Sequence, residues 1–179
     1  FSQAQRQLTA AYRMRGSDAA SRDAARAFTP LAARAGAALM AARAARLADA
    51  RDRLAERHRA LGGTEELDLV FDPDLRKLPA AVLRDAALRP RDADALGPLV
   101  EHYRRILDDG FDEARRLGGS PTGAQRDDFA ARLAGQDLRR FGSQGQHRLA
   151  ALALKLESAA WIEASLGETP VLLLDDFGS

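Results

Sequence analysis

The sequence predicts an α/β protein carrying a large helical insertion, on three observations. Residues 31–61 place Leu31, Leu39, Leu47, Leu54 and Leu61 near a heptad spacing within an alanine- and arginine-rich stretch, the pattern of a long helix. In residues 66–71, Leu67, Leu69 and Phe71 alternate with Glu66, Asp68 and the exception Val70, and this reads as a strand. Near the end an apolar helical stretch leads through Gly167 and Pro170 into the unbroken run Val171-Leu172-Leu173-Leu174, which suits a central parallel strand covered on both faces.

At 179 residues the chain is long enough for one or two domains with real cores. With 46% hydrophobic and 30% charged residues it is not a disordered chain. The absence of cysteine excludes a disulfide framework and a thiolate metal site. No apolar stretch is long enough to span a bilayer and no secretory signal opens the chain, so a cytoplasmic location without a membrane partner is expected. The formal net charge is +1, and the basic residues are arginines apart from Lys77 and Lys155. His58, His102 and His147 show no metal-ligand spacing and read as surface or helix-start residues. The opening at Phe1 and the end just past the last expected strand suggest a piece of a longer protein.

Residues 3–26 are polar and alanine-rich, predicting helices that pack along one narrow face or extend away from the body. Thr29-Pro30 supplies a helix start, with Thr as cap and Pro at the first helical position, and Gly62-Gly63 supplies the stop. The narrow leucine stripe between them suits a coiled-coil-like arm. Its arginines, Arg43 and Arg46 among them, either meet duplex phosphates or are balanced by Asp49, Asp52 and Glu56 on a solvated helix. A short helix follows at 80–88, then one helix at 92–117 with Leu96, Leu99, Val100, Tyr103, Ile106 and Leu107 at helical spacing. After the loop Gly118-Gly119-Ser120-Pro121, a strand at 129–134 is expected to turn at Gly135-Gln136-Asp137 and return as a strand at 138–141. In the helix expected at 145–166, Leu149, Leu152, Ala153, Leu154, Leu156, Ala160 and Ile162 cover most of the circumference, so it should be buried against a sheet.

Two clusters in the last third carry chemistry. Ser143-Gln144-Gly145-Gln146 sets hydroxyl, amide and backbone N–H donors at a helix start, and the glycine lets a phosphate approach the backbone. Ser143 is equally a good helix cap. Asp175-Asp176 closes the aliphatic run at the carboxyl end of its expected strand, where open α/β sheets place ligands. The pair matches the Walker B arrangement, one carboxylate for Mg²⁺ and one for an attacking water, and by itself it also suits two solvated acids. A P-loop is missing, since neither Lys77 nor Lys155 follows a glycine.

Polar turn, apolar helix, short loop, aliphatic strand and acid pair, in that order, resemble the ABC-type ATPases. More narrowly, F-G-S-Q-G-Q-x-R at 141–148, A-L-A-L-K-L at 151–156 and P-V-L-L-L-D-D at 170–176 resemble the RecF family of recombination-repair proteins. Gly123-Ala124-Gln125-Arg126-Asp127-Asp128 is similar to that family's G-P-H-R-D-D segment, with Ala124 and Gln125 in place of Pro and His. The resemblance implies part of an ABC-type, SMC-like ATPase head plus its helical second domain. Residues 1–120 would be the helical domain and 121–179 the C-terminal part of the head, without the Walker A part. It implies ATP and Mg²⁺ as cofactors. Ser143, Gln144, Gly145 and Gln146 would contact nucleotide held by a second subunit, Asp175 would hold the metal, and Asp176 would be the catalytic residue that holds or polarises the water. The implied partners are double-stranded or gapped DNA, an ATP-dependent homodimer and other recombination mediator proteins. Another SMC-like head and a non-enzymatic helical adaptor are the alternatives.

The parent protein is then a slow Mg²⁺-dependent ATPase, and this chain alone should release no phosphate from ATP, because it lacks the phosphate cradle. Steady-state phosphate release by the purified chain that disappears with Asp175→Asn would overturn this expectation.

Overall fold

In a computed structural model, residues 1–75 and 77–174 are described. By their contacts they group into two compact units: Phe1–Arg46 with Phe71–Asp128, and Leu47–Val70 with the described residues from Phe129 on. Both draw on one helix, α2, which runs Asp18–Ala60 over 43 residues. Helix α1 (Ser2–Tyr12) precedes it. The start of α2 is marked by Ser17, whose Oγ accepts the Ala20 N–H at 3.3 Å.

The helix passes Thr29-Pro30 without a break, so the expected start there is corrected. Proline in a helix interior removes a backbone hydrogen bond and costs about 3 kcal/mol. Packing overrides that penalty: Thr29 is buried and its Oγ1 donates to the Ala25 carbonyl at 3.0 Å. The leucine stripe is divided: Leu54 is buried with Leu47 and Leu61 packed on the same core of the second unit, and Leu39 packs on the core of the first. The face of α2 that is buried in the first unit is made of Ala32, Ala33, Ala37, Met40 and Ala41, while Leu31 is 51% exposed. Small side chains let neighbours approach the helix backbone. A Cβ on Gly36 would lie 2.1 Å from Cε1 of Tyr103, so the Tyr103 ring lies against the glycine itself.

Tyr103 belongs to α4 (Ala93–Asp109), which follows the short helix α3 (Ala80–Leu88) as expected. Asp92 caps α4, its Oδ1 accepting the N–H groups of Asp94 and Ala95 at 2.9 and 3.2 Å. The single helix expected at 92–117 is two. Gly110 ends α4, and α5 (Phe111–Leu117) begins after it, turning Phe111 edge-on to Tyr12 with ring centroids 5.9 Å apart. Leu8, Leu99 and Leu107 complete this core.

In the second unit a three-stranded sheet has the order β1 (Leu67–Asp72), β2 (Asp128–Leu133), β3 (Gln136–Asp137). Strands β2 and β3 are antiparallel, with Arg132 opposite Asp137 and Leu133 opposite Gln136. Ala134 and Gly135 form the two-residue turn with φ of 45° and 79°, the positive values that such a hairpin demands. The return strand expected at 138–141 is instead the short helix α6 (Leu138–Phe141), because Asp137 Oδ1 accepts the Arg140 N–H at 3.2 Å and caps a turn. Helix α7 (Gln144–Leu166) buries Ala150, Ala153 and Glu157, with Leu54, Leu67, Leu69, Leu133 and Leu138 forming the rest of this core. Expected burial around its whole circumference is not observed. Its later residues are open, Leu166 at 71% exposure, since the three described strands cover one face only. Residues 171–174 form no strand among the described residues, and Val171 is 87% exposed; a central strand needs hydrogen-bonded partners on its edges, and none of the described strands pairs with this run.

Gly36→Ala separates packing from propensity. Alanine is favoured over glycine inside a helix by about 1 kcal/mol, whereas the clash with the Tyr103 ring predicts a net loss of about 1–3 kcal/mol, typical of overpacking. Chemical denaturation of the chain should show a lower midpoint for Gly36→Ala; a higher one would mean that the ring is free to move away.

Candidate functional site

The polar turn at the start of α7 forms a complete capping box. Ser143 Oγ accepts the Gln146 N–H at 3.2 Å, and Gln146 Oε1 accepts the Ser143 N–H at 2.8 Å. These two bonds leave the N–H groups of Gln144 and Gly145 at the exposed helix start, where the helix dipole adds positive potential. A Cβ on Gly145 would meet only Ser143 Oγ, at 3.9 Å, so the space over this backbone is open. The His147 ring turns back, with Nδ1 2.8 Å from the Ser143 carbonyl oxygen. The other end of the Gln146 amide donates from Nε2 to Glu65 Oε1 at 2.9 Å, tying the turn to the loop that follows α2.

That loop rests on a histidine that the sequence suggested was superficial. His58 is fully buried, and a Cβ on Gly63 would lie 2.1 Å from its Cε1, so the loop packs directly on the imidazole. The buried carboxylate of this unit is Glu157. Arg53 Nε donates to one of its oxygens at 2.9 Å and Arg57 Nε to the other at 3.0 Å. Burial pushes the Glu157 carboxyl up, but the two guanidinium groups outweigh it and hold the carboxyl below its ordinary range. No sequence reading singled Glu157 out. The signal was present: it occupies the position on the α7 face that continues Ala150 and Ala153, with two arginines one helical turn apart on α2 to meet it.

The segment Gly123–Asp128 lies in the first unit and is packed on Tyr103 and Arg43. Gly123 has φ of 126°, and a Cβ there would lie 2.0 Å from the Tyr103 hydroxyl. The Ala124 N–H donates to that hydroxyl at 3.0 Å, and burial pushes the Tyr103 hydroxyl pKa up to about 12. Asp127, whose side chain is 1% exposed, accepts from Arg43 Nη1 at 2.9 Å and from the Asp74 N–H at 3.1 Å. Here burial outweighs both donors, and the carboxyl is raised above its ordinary range. Gln125, which replaces the family's histidine, donates from Nε2 to the Thr122 carbonyl at 2.9 Å within the same loop.

Several arginines of α2 are engaged by acids of the fold. Arg43 holds Asp127, Arg51 holds Asp68, and Arg53 and Arg57 hold Glu157. Of the expected local acids, Asp49 pairs with Arg53, while the other partners named here come from distant stretches of chain. Ser143, Gln144, Gly145 and Gln146 are brought together on one turn, whereas Asp175 and Asp176 lie outside the described residues. Among the described residues no three His, Asp or Glu side chains converge to hold a metal ion, and no helix is long and apolar enough to cross a membrane.

No family model matches the chain. It is 50% identical over 74 residues to a DNA replication and repair protein RecF of Magnetococcus marinus, a match covering 41% of this chain and 19% of that protein. It is 37% identical over 131 residues to the protein of the same description from Lactobacillus delbrueckii subsp. bulgaricus, covering 73% of this chain and 31% of that protein. The chain thus spans less than a third of the length of these relatives. Its fold is similar to a solved structure of the recombination mediator protein RecF with ATP in the RecFOR pathway, with TM-score 0.75, 23% identity, and coverage of 98% of this chain and 43% of that one.

The depressed Glu157 carboxyl fixes the sign of a pH effect. Its stabilisation is present above the ordinary glutamate pKa of about 4.3 and is lost as pH falls through the lower, folded value. Glu157→Gln should cost about 1–2 kcal/mol at neutral pH and flatten the acid limb of a pH series of denaturation curves. An unchanged acid limb would show that Arg53 and Arg57 leave the carboxyl unperturbed.

Proposed function

We infer that this chain, which belongs to the RecF family, supplies an ATP-dependent DNA replication and repair protein with the turn that meets nucleotide bound by a second subunit. The observation that carries the reading is the exposed, capped turn at the start of α7, open over Gly145, one helix ahead in the sequence of the aliphatic run and its two aspartates. The donor set fits a phosphate. The N–H groups of Gln144 and Gly145 point from the positive end of a 23-residue helix, the Ser143 hydroxyl adds a further donor, and the Gln144 amide is assigned a second-rank contact.

In this reading the turn binds and orients the γ-phosphate of ATP from the opposite side, so that assembly of two subunits depends on the nucleotide. Asp175 is assigned to Mg²⁺, which neutralises charge building on the phosphates. Asp176 is assigned to the hydrolytic water, holding its proton-bearing oxygen toward the reacting phosphorus. DNA, double-stranded or gapped, and other recombination mediators are the proposed partners. Exposed Arg34 and Arg59 are better placed to meet DNA phosphates than Arg43, Arg53 or Arg57, which hold buried acids.

Ser143→Arg and Asp175→Asn, made in a full-length family protein carrying this chain, should fail differently. Ser143→Arg is expected to leave ATP binding by the monomer near wild type and to block the ATP-dependent dimer by bulk and charge. Asp175→Asn is expected to reduce hydrolysis while dimers that form persist longer. Light scattering with and without ATP, beside nucleotide titrations, separates the two. If Ser143→Arg dimerises with ATP as the wild type does, Ser143 is a helix cap only.

A further inference from the structure

The amide of Gln146 has two possible orientations, and one neighbour decides between them. Its Oε1 accepts the Ser143 N–H at 2.8 Å while its Nε2 donates to Glu65 Oε1 at 2.9 Å. A carboxylate accepts and never donates, so it selects the orientation that turns the amide oxygen toward Ser143. Glu65 is fixed in its turn. Thr64 Oγ1 donates to its other oxygen at 2.9 Å, and the preceding Gly63 packs on the buried ring of His58 at the end of α2. Hydrogen bonds from Thr64, from its own backbone and from Gln146 hold the Glu65 carboxyl below its ordinary range, so it is ionised, and an acceptor only, at neutral pH.

We propose that Glu65 is the positioning residue of the Ser143–Gln146 turn, locking the Gln146 amide so that the capping box consumes the N–H groups of Ser143 and Gln146 and leaves those of Gln144 and Gly145 for an incoming phosphate. The consequence for nucleotide rests on the function proposed above; the lock itself does not. With the amide reversed, Nε2 would face the Ser143 N–H, two donors would oppose each other, and the cap would open. The loop after α2 thereby sets the geometry of the start of α7 through one side chain.

Three substitutions in the full-length protein separate orientation from charge. Glu65→Gln retains an acceptor oxygen for Gln146 and should behave as the wild type. Glu65→Ala removes the acceptor, and Glu65→Lys presents donors that favour the reversed amide. Hydrogen exchange of the Ser143 N–H, followed by NMR without nucleotide, should quicken by about fivefold to tenfold in Glu65→Ala and Glu65→Lys, the equivalent of one lost hydrogen bond. The ATP-dependent dimer should weaken by a similar factor in the same two variants, with Glu65→Gln rescuing both readouts. Unchanged exchange in Glu65→Ala and Glu65→Lys overturns the proposal, as does tighter ATP-dependent dimerisation in both Glu65→Gln and Glu65→Ala, which would make Glu65 a repelling charge. Faster exchange in Glu65→Ala alongside wild-type dimerisation of Ser143→Arg supports the lock while removing the nucleotide role of the turn.

Discussion

The contact of the Tyr103 ring with α2 at Gly36, the position on that helix without a Cβ, sets the geometry of the whole first unit. A tyrosine buries about 150–250 Å² and brings a hydroxyl that must find a partner when buried. Because the ring lies flush on α2 among alanines, its hydroxyl projects to the far side, where it meets the Ala124 N–H and excludes any side chain from Gly123. The 123–128 segment can then deliver Asp127 to Arg43, one helical stretch along α2 from Gly36. A bulkier residue at 36, or a ring without its hydroxyl, disturbs every later step.

Arginine on α2 answers each buried acid. A carboxylate taken out of water is costly unless it is paired and hydrogen-bonded, and removing one partner is costlier still. Asp127 and Glu157 show the balance at two settings. One guanidinium and a backbone N–H do not offset the burial of Asp127, and its carboxyl is raised. Two guanidinium groups more than offset the burial of Glu157, and its carboxyl is lowered. Arginine suits both places because its planar fork reaches a carboxylate oxygen while its stem covers apolar surface. The arginine-rich composition of this helix is thus explained in part by packing.

The turn at the start of α7 reconciles two readings that compete on paper. A helix cap and a phosphate site use the same orphan N–H groups, but this cap uses those of Ser143 and Gln146 and leaves the two between them. The cap holds the remaining pair in place, the arrangement that the proposed phosphate contact requires. The long reach from His58 through Gly63 and Glu65 to Gln146 means that the turn is positioned by tertiary contacts as well as by its own sequence.

The sequence by itself determined whatever depends on neighbours three or four residues away: the helices at 80–88 and after Ser143, the strand at 67–72, the capping residue Ser143, and the family resemblance carried by contiguous motifs. It misjudged elements where a local signal competed with burial. Thr29-Pro30 read as a start because threonine caps helices and proline suits the first helical position, yet packed alanines on both sides carry the helix through. Residues 138–141 read as the return strand of a hairpin but follow Asp137, whose carboxylate caps a helical turn, so that the pairing stops at Gln136 and Asp137. Only the tertiary structure decided that the fully buried face of α2 in the first unit is made mainly of alanines, that Glu157 and His58 are buried, and which carboxylate orients Gln146. Those outcomes rest on pairs such as Arg43 with Asp127 and Arg53 with Glu157, separated by 84 and 104 residues, and no periodicity within either stretch records what the other brings.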